Sequence, residues 1–188
     1  AKIALQDLKS VYIDLNDINA YASYVNSIGG NIRLEVGEQD SLTYIAAEKL
    51  FMRGDNDGAR RSLINYLQTF PEGAFSSNAN FYLGSIAFAK KEFDEAIQRF
   101  KSVIASGDTK FLEESVARTA EIEYLSKDYP AALESFKRLQ IVAENPENRQ
   151  AARLGIMRCA LQTGQQKDAL LAADELLKEP KLSPELEA

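Results

Sequence analysis

Apolar residues recur along this chain at the three- and four-residue spacing of amphipathic helices, and the predicted helices come in pairs. In each pair, a residue of the first helix is followed twelve positions later by an alanine of the second helix. That alanine recurs at intervals of 37, 36 and 37 residues, at Ala59, Ala96, Ala132 and Ala169. Short polar turns such as Arg53-Gly54-Asp55-Asn56 separate the two helices. The pattern therefore predicts a repeated helical hairpin.

Helix packing explains the spacing. A small residue opposite the repeated alanine lets two helix backbones approach closely, and a large apolar residue four positions further on fills the groove beside them. A single hairpin cannot bury its apolar surface alone, whereas stacked hairpins can. We therefore predict an all-α fold, an α-solenoid of antiparallel helix pairs with about ten helices.

The best-preserved copy combines five features: Leu83-Gly84, Phe93, Asp94-Glu95-Ala96, Phe100 and Val103. Together with its neighbours it resembles the tetratricopeptide repeat (TPR) family, from Asp40 to roughly Pro180. The resemblance implies a right-handed superhelix with four units at 40–73, 77–112, 113–149 and 150–182. The last unit departs from the family pattern, because Met157 stands where a small residue is usual and Ala173 where an aromatic residue is usual.

The two ends of the chain extend this organisation. Residues 1–30 read as a degenerate helical hairpin, in which bulky Tyr21 stands in the register of the repeated alanine. Residues 31–39 alternate apolar and charged side chains and are predicted to be an extended connector. Residues 183–188 combine a Ser cap, a Pro and acidic residues, which predicts the start of a further, truncated helix. We therefore expect a fragment of a longer array.

Composition excludes several kinds of chemistry. The chain has no His and one Cys, so triads that use His, His-bound metals and internal disulfides are ruled out. Cys159 lies in an apolar helical run and is expected to be a buried residue rather than a nucleophile. The chain carries 22 basic and 28 acidic residues, which speaks against nucleic acid as a partner and against a pentatricopeptide-type RNA reader. No apolar run is long enough for a membrane span. We predict no catalytic residue, metal or cofactor, and therefore no enzyme.

In TPR arrays the first helices line a concave groove, and the resemblance implies a candidate peptide-binding set there: Tyr44, Glu48, Phe51, Phe81, Ser85, Phe88, Arg118, Glu121, Tyr124 and Arg158. The recurring rings Phe51, Phe88 and Tyr124 have two interpretations, a track for a peptide or packing between the helices of each hairpin. Tyr44 and Phe81 are expected to be the more exposed. The Lys/Asn carboxylate clamp of chaperone-binding TPRs is absent.

These observations predict a non-catalytic scaffold that binds a protein or peptide partner. The alternative is a structural or self-associating module of a larger assembly. The stretch from Tyr66 to Gly84, with Phe70-Pro71-Glu72-Gly73-Ala74-Phe75 and Ala79 between two units, resembles the corresponding stretch in TPRs of bacterial envelope proteins. That resemblance implies a location in the periplasm or at the outer membrane, with the cytoplasm as the alternative.

Overall fold

A computed structural model describes residues 2–28 and 34–178, with side chains described from residue 4 onward. The described residues form ten α-helices and no β-strand. The helices are α1 Lys2–Asp14, α2 Ile18–Ile28, α3 Val36–Met52, α4 Asn56–Thr69, α5 Ser76–Ala89, α6 Phe93–Ser106, α7 Leu112–Leu125, α8 Tyr129–Val142, α9 Pro146–Gln162 and α10 Gln166–Leu177. The predicted all-α class and helix number are confirmed.

The chain divides into two compact units, Ala1–Lys91 and Glu92–Ala188, which we call unit 1 and unit 2. Unit 1 holds α1 to α5, and each of its helices packs against the next one along the chain. In addition, α1 packs against α3. Unit 2 holds α6 to α10 with the same neighbour-to-neighbour packing, and α7 also contacts α9. First helices of successive hairpins therefore lie side by side in unit 2.

The repeated small residues lie where the helices of a pair meet. Ala47 and Ala59 of α3 and α4 are completely buried, as are Ala120 and Ala132 of α7 and α8. These pairs belong to the apolar cores of their units. In the last pair, Met157 is only half-buried. A bulky side chain at this position reaches the helix surface instead of filling the close contact that alanine makes elsewhere.

Each hairpin turn contains one residue in the left-handed backbone region, always at the same register. Gly54 and Gly164 take this conformation with φ of 81° and 73°, and Lys127 takes it with φ of 61°. Asn16 and Lys91 occupy the equivalent positions in the other turns. Glycine adopts this conformation without steric cost, whereas a side chain with a Cβ is strained in it.

Replacing Lys127 by glycine should therefore raise the free energy of unfolding by about 0.5–1 kcal/mol, because relief of strain exceeds the extra flexibility of the unfolded chain. Lys127 is exposed, so little else is lost. The matched control is Lys167→Gly at an exposed position of helix α10, which should destabilise by up to about 1 kcal/mol. Urea unfolding measures both. Equal destabilisation by the two variants would show that the turn is not strained.

The predicted connector 31–39 is shorter than expected, since α3 begins at Val36. Two contacts favour the longer helix. Glu38 forms a salt bridge with Lys9 of α1, with 2.6 Å between Nζ and Oε1, and Leu34 packs on an apolar cluster formed by α2 and α3. The apparent alternation of apolar and charged residues therefore reflects a helix start against α1. Residues 31–33 lie outside the described part of the chain.

The predicted boundary at residue 150 also shifts, because α9 begins at Pro146. The side chain of Asn145 caps this helix by accepting a hydrogen bond from the Glu147 N–H at 2.8 Å. Proline at the first helical position, where no N–H partner is needed, reinforces that start. The predicted further helix at 183–188 lies outside the described residues.

Candidate functional site

A pocket of about 280 Å³ lies between α7, α8 and α9 of unit 2. Four of the predicted groove residues line it: Arg118, Glu121 and Tyr124 from α7, and Arg158 from α9. Its remaining wall is mostly apolar and consists of Ala117, Leu125, Phe136, Leu139, Ala151, Leu154 and Gly155, with Glu114 and Asn148 at the rim. The register of the repeat explains this convergence, because first helices of successive hairpins contact each other.

The apolar part of this pocket is shaped by one close contact between α8 and α9. A Cβ atom added at Gly155 would lie 2.4 Å from atoms of the Phe136 ring. Glycine therefore allows the ring to lie against the α9 backbone. Tyr124 meets the same ring edge-on, with 6.5 Å between centroids, and also contacts Tyr129 at 5.7 Å. Tyr124 thus packs within its own hairpin while it lines the pocket.

The two arginines of the pocket differ in their ion pairing. Arg118 is held by two carboxylates of its own helix, with its Nε 2.8 Å from Glu114 and its Nη1 2.9 Å from Glu121. Burial disfavours the charged guanidinium, but the two carboxylates outweigh it and raise the pKa of Arg118. Arg158 is exposed and forms no salt bridge with any residue that the structure describes. Its charge remains available to a bound partner.

In unit 1, Tyr44 departs from the prediction. It is only 2% exposed, because the ring of Phe75 stacks on it with 4.4 Å between centroids and an interplanar angle of 2°. The expectation that Tyr44 is an exposed groove residue is therefore wrong. Its hydroxyl donates a hydrogen bond to Oε1 of Glu48 at 2.6 Å. Burial, followed by this carboxylate, raises the pKa of Tyr44.

Glu48 lies at the centre of a polar cluster on α3 and α5, which we call the Glu48 cluster: Tyr44, Glu48, Asn78 and Tyr82. The Tyr82 hydroxyl donates to the same Glu48 Oε1 at 3.0 Å, and the Asn78 amide donates to the Tyr44 hydroxyl at 3.1 Å. Burial and Glu48 together raise the pKa of Tyr82. Both phenols therefore remain protonated donors to the carboxylate at ordinary pH.

The other predicted groove residues of unit 1 are half-buried: Phe51, Phe81, Ser85 and Phe88. The ring of Phe51 lies 4.5 Å from that of Tyr82, so it contacts α5, the first helix of the next hairpin. Phe81 contacts Tyr82 edge-on at 5.8 Å. Ser85 donates to the Phe81 carbonyl at 2.9 Å. The peptide-track interpretation of these rings stays a prediction.

A second network, which sequence reasoning missed, holds the loop that carries Phe75. Asp40 is buried; its Oδ1 accepts from the Tyr66 hydroxyl at 2.5 Å and its Oδ2 from the Ala74 N–H at 2.8 Å. The Tyr66 hydroxyl in turn accepts from the Phe75 N–H at 3.0 Å. A Cβ atom at Gly73 would lie 2.4 Å from that hydroxyl. The network therefore fixes the loop over Tyr44.

Glu113 has a similar role in unit 2. Its carboxylate accepts from the backbone N–H groups of Glu144 and Asn145 at 2.9 and 3.1 Å, and from the Asn148 amide at 2.7 Å. Burial opposes ionisation, but these donors outweigh it and lower the pKa of Glu113. Asp40 and Glu113 thus share one feature that a sequence could reveal. Each is an acidic residue near the start of a first helix, and each accepts backbone hydrogen bonds from a loop 31 to 34 residues further along the chain.

The described residues offer no reactive thiol and no cluster of potential metal ligands. Cys159 is buried, and burial raises the pKa of its thiol to about 11, so it is protonated at neutral pH. Residues 2–28 and 34–178 contain no group of three potential metal ligands. Within the same ranges, no helix has the length and apolar character that a membrane span requires.

The sequence and the structure of this chain are similar to those of known repeat proteins. Residues 46–109 match the family model of the tetratricopeptide repeat. The structure of MamA AMB-1 is similar with a TM-score of 0.62 at 15% identity, over 98% of this chain and 95% of that one. A Podosopora anserina protein with nearly identical TPR-like repeats, assigned as a kinesin light chain, gives 0.53 at 14%, over 92% and 91%. A search of curated proteins found no match.

At these identities the structural likeness shows the fold, and it agrees with the family match. Proteins of this family generally mediate protein–protein interactions. The predicted relationship is therefore confirmed: the chain contains tetratricopeptide repeats, identified directly over residues 46–109, and shares the fold of that family over nearly its whole length.

Proposed function

We propose that this chain is a non-catalytic scaffold that binds a protein partner in the pocket between α7, α8 and α9. The observation that carries the proposal is the combination of an apolar wall with the unpaired Arg158 at its rim. The family supports a binding role rather than catalysis.

The size of the pocket favours a side chain over a small-molecule substrate. Its volume of about 280 Å³ lies just below the usual range of small-molecule sites. It suits one bulky apolar side chain, such as Leu or Phe. Such a residue buried among Phe136, Leu139 and Leu154 would act as the anchor that dominates affinity in many interfaces.

The charge of Arg158 favours an acidic residue of the partner next to the apolar anchor. Glu114 and Glu121 already share Arg118, whereas Arg158 forms no salt bridge with a described residue. An Asp or Glu of the partner, next to the apolar anchor, would pair with Arg158. The occupant is therefore a protein segment in which a bulky apolar residue is followed closely by an acidic one.

Site-specific photo-crosslinking in cells that express the full-length protein tests this proposal. A photoreactive phenylalanine analogue at Ala151, an exposed residue of the pocket wall, should crosslink a partner protein. The same analogue at Glu134, on the exposed face of α8, is the matched control and should not. Arg158→Glu should abolish the crosslink from position 151. Equal crosslinking from position 134, or a crosslink unaffected by Arg158→Glu, would refute the pocket as the site.

A second candidate is a self-associating module. Four leucines of α9 and α10 favour it, because they are 58–75% exposed: Leu161, Leu170, Leu171 and Leu177. Exposed apolar patches commonly mark interfaces. Sedimentation velocity of the chain and of Leu170→Glu at several concentrations separates the candidates. A monomer at all concentrations rejects self-association, whereas an oligomer lost in the variant supports it.

The bacterial envelope is the location that we propose for this protein. The resemblance of the stretch from Tyr66 to Gly84 to envelope TPR proteins supports it. Fractionation of cells that express the full-length protein tests it: recovery in the periplasmic or outer-membrane fraction supports the proposal, and recovery in the cytoplasm alone contradicts it.

A further inference from the structure

The carboxylate of Glu48, a half-buried residue, differs in its hydrogen bonding from that of Asp40, the buried acidic residue of the described part of unit 1. Its Oε1 accepts two phenolic hydrogen bonds, from Tyr44 and Tyr82, while its Oε2 accepts none from any residue that the structure describes. Asp40, by comparison, uses both of its oxygens. Glu48 therefore has one oxygen with unused hydrogen-bonding capacity.

Glu48 also has no positive partner among the described residues. The basic side chains of α3 and at the ends of α3 and α5 form salt bridges with other residues: Lys49 and Arg53 both contact Asp14, at 2.9 and 3.0 Å, and Lys90 pairs with Asp57. A carboxylate removed partly from water without a cation is costly, unless a ligand completes its bonding. Glu48 is half-buried, so it remains accessible to one.

The surroundings of Glu48 favour a particular shape of cation. The rings of Tyr44 and Tyr82 hold the carboxylate, and the ring of Phe51 lies on Tyr82. Aromatic surfaces pack well against the aliphatic stems of Lys and Arg and attract their charged ends. A simple inorganic cation would use only the carboxylate, whereas a basic side chain uses both features.

We infer that the Glu48 cluster is a second binding site, which takes a Lys or Arg side chain of a partner segment, with the cationic end on Glu48 Oε2 and the stem on the half-buried ring of Phe51. The site extends the proposed binding role to unit 1. The two proposed sites prefer opposite charges, because the Glu48 cluster binds a basic side chain whereas Arg158 in the pocket of unit 2 would pair with an acidic one. The two sites are therefore tested with different probes.

The probes are three synthetic peptides, acetyl-Ser-Gly-X-Gly-Ser-amide, in which X is Lys, Arg or the uncharged analogue norleucine. Titration of the isotope-labelled chain is followed through its backbone amide NMR signals. The Lys and Arg peptides should shift the amides of residues 44–51 and 78–85, and norleucine should not. Shifts of equal size with norleucine, or shifts that map to other residues, would overturn the inference.

The decisive variant is Glu48→Gln, because its amide oxygen still accepts hydrogen bonds from both phenols while the charge is lost. It should weaken binding of the Lys peptide about tenfold, the effect of losing one charge-assisted hydrogen bond. Glu72→Gln, at an exposed loop position of unit 1, is the matched control and should leave binding unchanged. Unchanged affinity of the Glu48→Gln variant would refute the site.

Salt dependence provides a measurement that needs no variant. Raising the ionic strength should weaken binding of the Lys peptide to the wild-type chain, because exposed charge pairs are screened. Salt-independent binding would contradict a role for the Glu48 charge. The probe peptides contain no acidic residue to pair with Arg158, so a negative result here leaves the proposed pocket of unit 2 untouched.

Discussion

Replacing Gly155 by alanine should lower the free energy of unfolding by about 2 kcal/mol. Alanine is the better helix former by about 1 kcal/mol, so propensity alone predicts the opposite sign. The added Cβ, however, would lie 2.4–2.5 Å from three atoms of the Phe136 ring. That ring is 9% exposed and also contacts Tyr124, so it cannot move aside freely. Overpacking of a core typically costs about 1–3 kcal/mol, which here exceeds the gain in propensity.

Gly37→Ala is the matched control for this prediction. Gly37 is also helical, yet a Cβ there would meet nothing within 4 Å, so the variant should be neutral or more stable. Urea unfolding followed by circular dichroism measures both. The double variant Gly155→Ala with Phe136→Leu should recover part of the loss, because the clash partner is smaller. An increase in stability for Gly155→Ala would show that the ring is not confined.

Replacing Tyr66 by phenylalanine should lower the free energy of unfolding by about 2–3 kcal/mol. Tyr66 is fully buried, and its hydroxyl serves both the Asp40 carboxylate and the Phe75 N–H. Its removal leaves a carboxylate oxygen and an amide without their partners, and hydrogen bonds to charged groups contribute about 1.5–3 kcal/mol. Gly73→Ala should also destabilise, because its Cβ would displace the same hydroxyl.

The control for this prediction is Tyr24→Phe. Tyr24 is 45% exposed, and an exposed hydroxyl usually contributes less than about 0.5 kcal/mol. Thermal and urea unfolding of both variants give the comparison. A Tyr66→Phe variant as stable as Tyr24→Phe would mean that the network does not hold the loop. Increased exposure of Tyr44, once the loop carrying Phe75 loosens, is the accompanying local change to expect in amide exchange.

Much of the fold could be predicted because it depends on the helical period. The repeated alanines Ala59 and Ala132 are completely buried, and the turn residues Gly54, Lys127 and Gly164 share one conformation. Periodicity identifies the apolar face of each helix and the register between hairpins. It also placed Arg118, Glu121, Tyr124 and Arg158 on neighbouring first helices, where they line one pocket.

The features that the sequence did not predict depend on contacts between helices and loops, which periodicity does not reveal. Tyr44 is buried by Phe75, a loop residue 31 positions away, and that loop is held by Asp40 and Tyr66. Similarly, α3 begins at Val36, without a side-chain cap from Glu35, and its first turn contacts α1 through the salt bridge between Glu38 and Lys9. The role of Gly155 depends on a ring from another helix. Each of these depends on a particular tertiary contact, which a single sequence does not reveal.

The central claim is that the pocket of unit 2 binds a bulky apolar residue with an acidic neighbour. Peptide selection from a random display library, carried out in parallel with the wild-type chain and with Arg158→Glu, tests it most directly. The wild-type chain should enrich peptides in which a residue such as Leu or Phe is followed closely by Asp or Glu. Arg158→Glu should retain the apolar preference and exchange the acid for Lys or Arg. Selection of the same charge pattern by both chains would contradict the account.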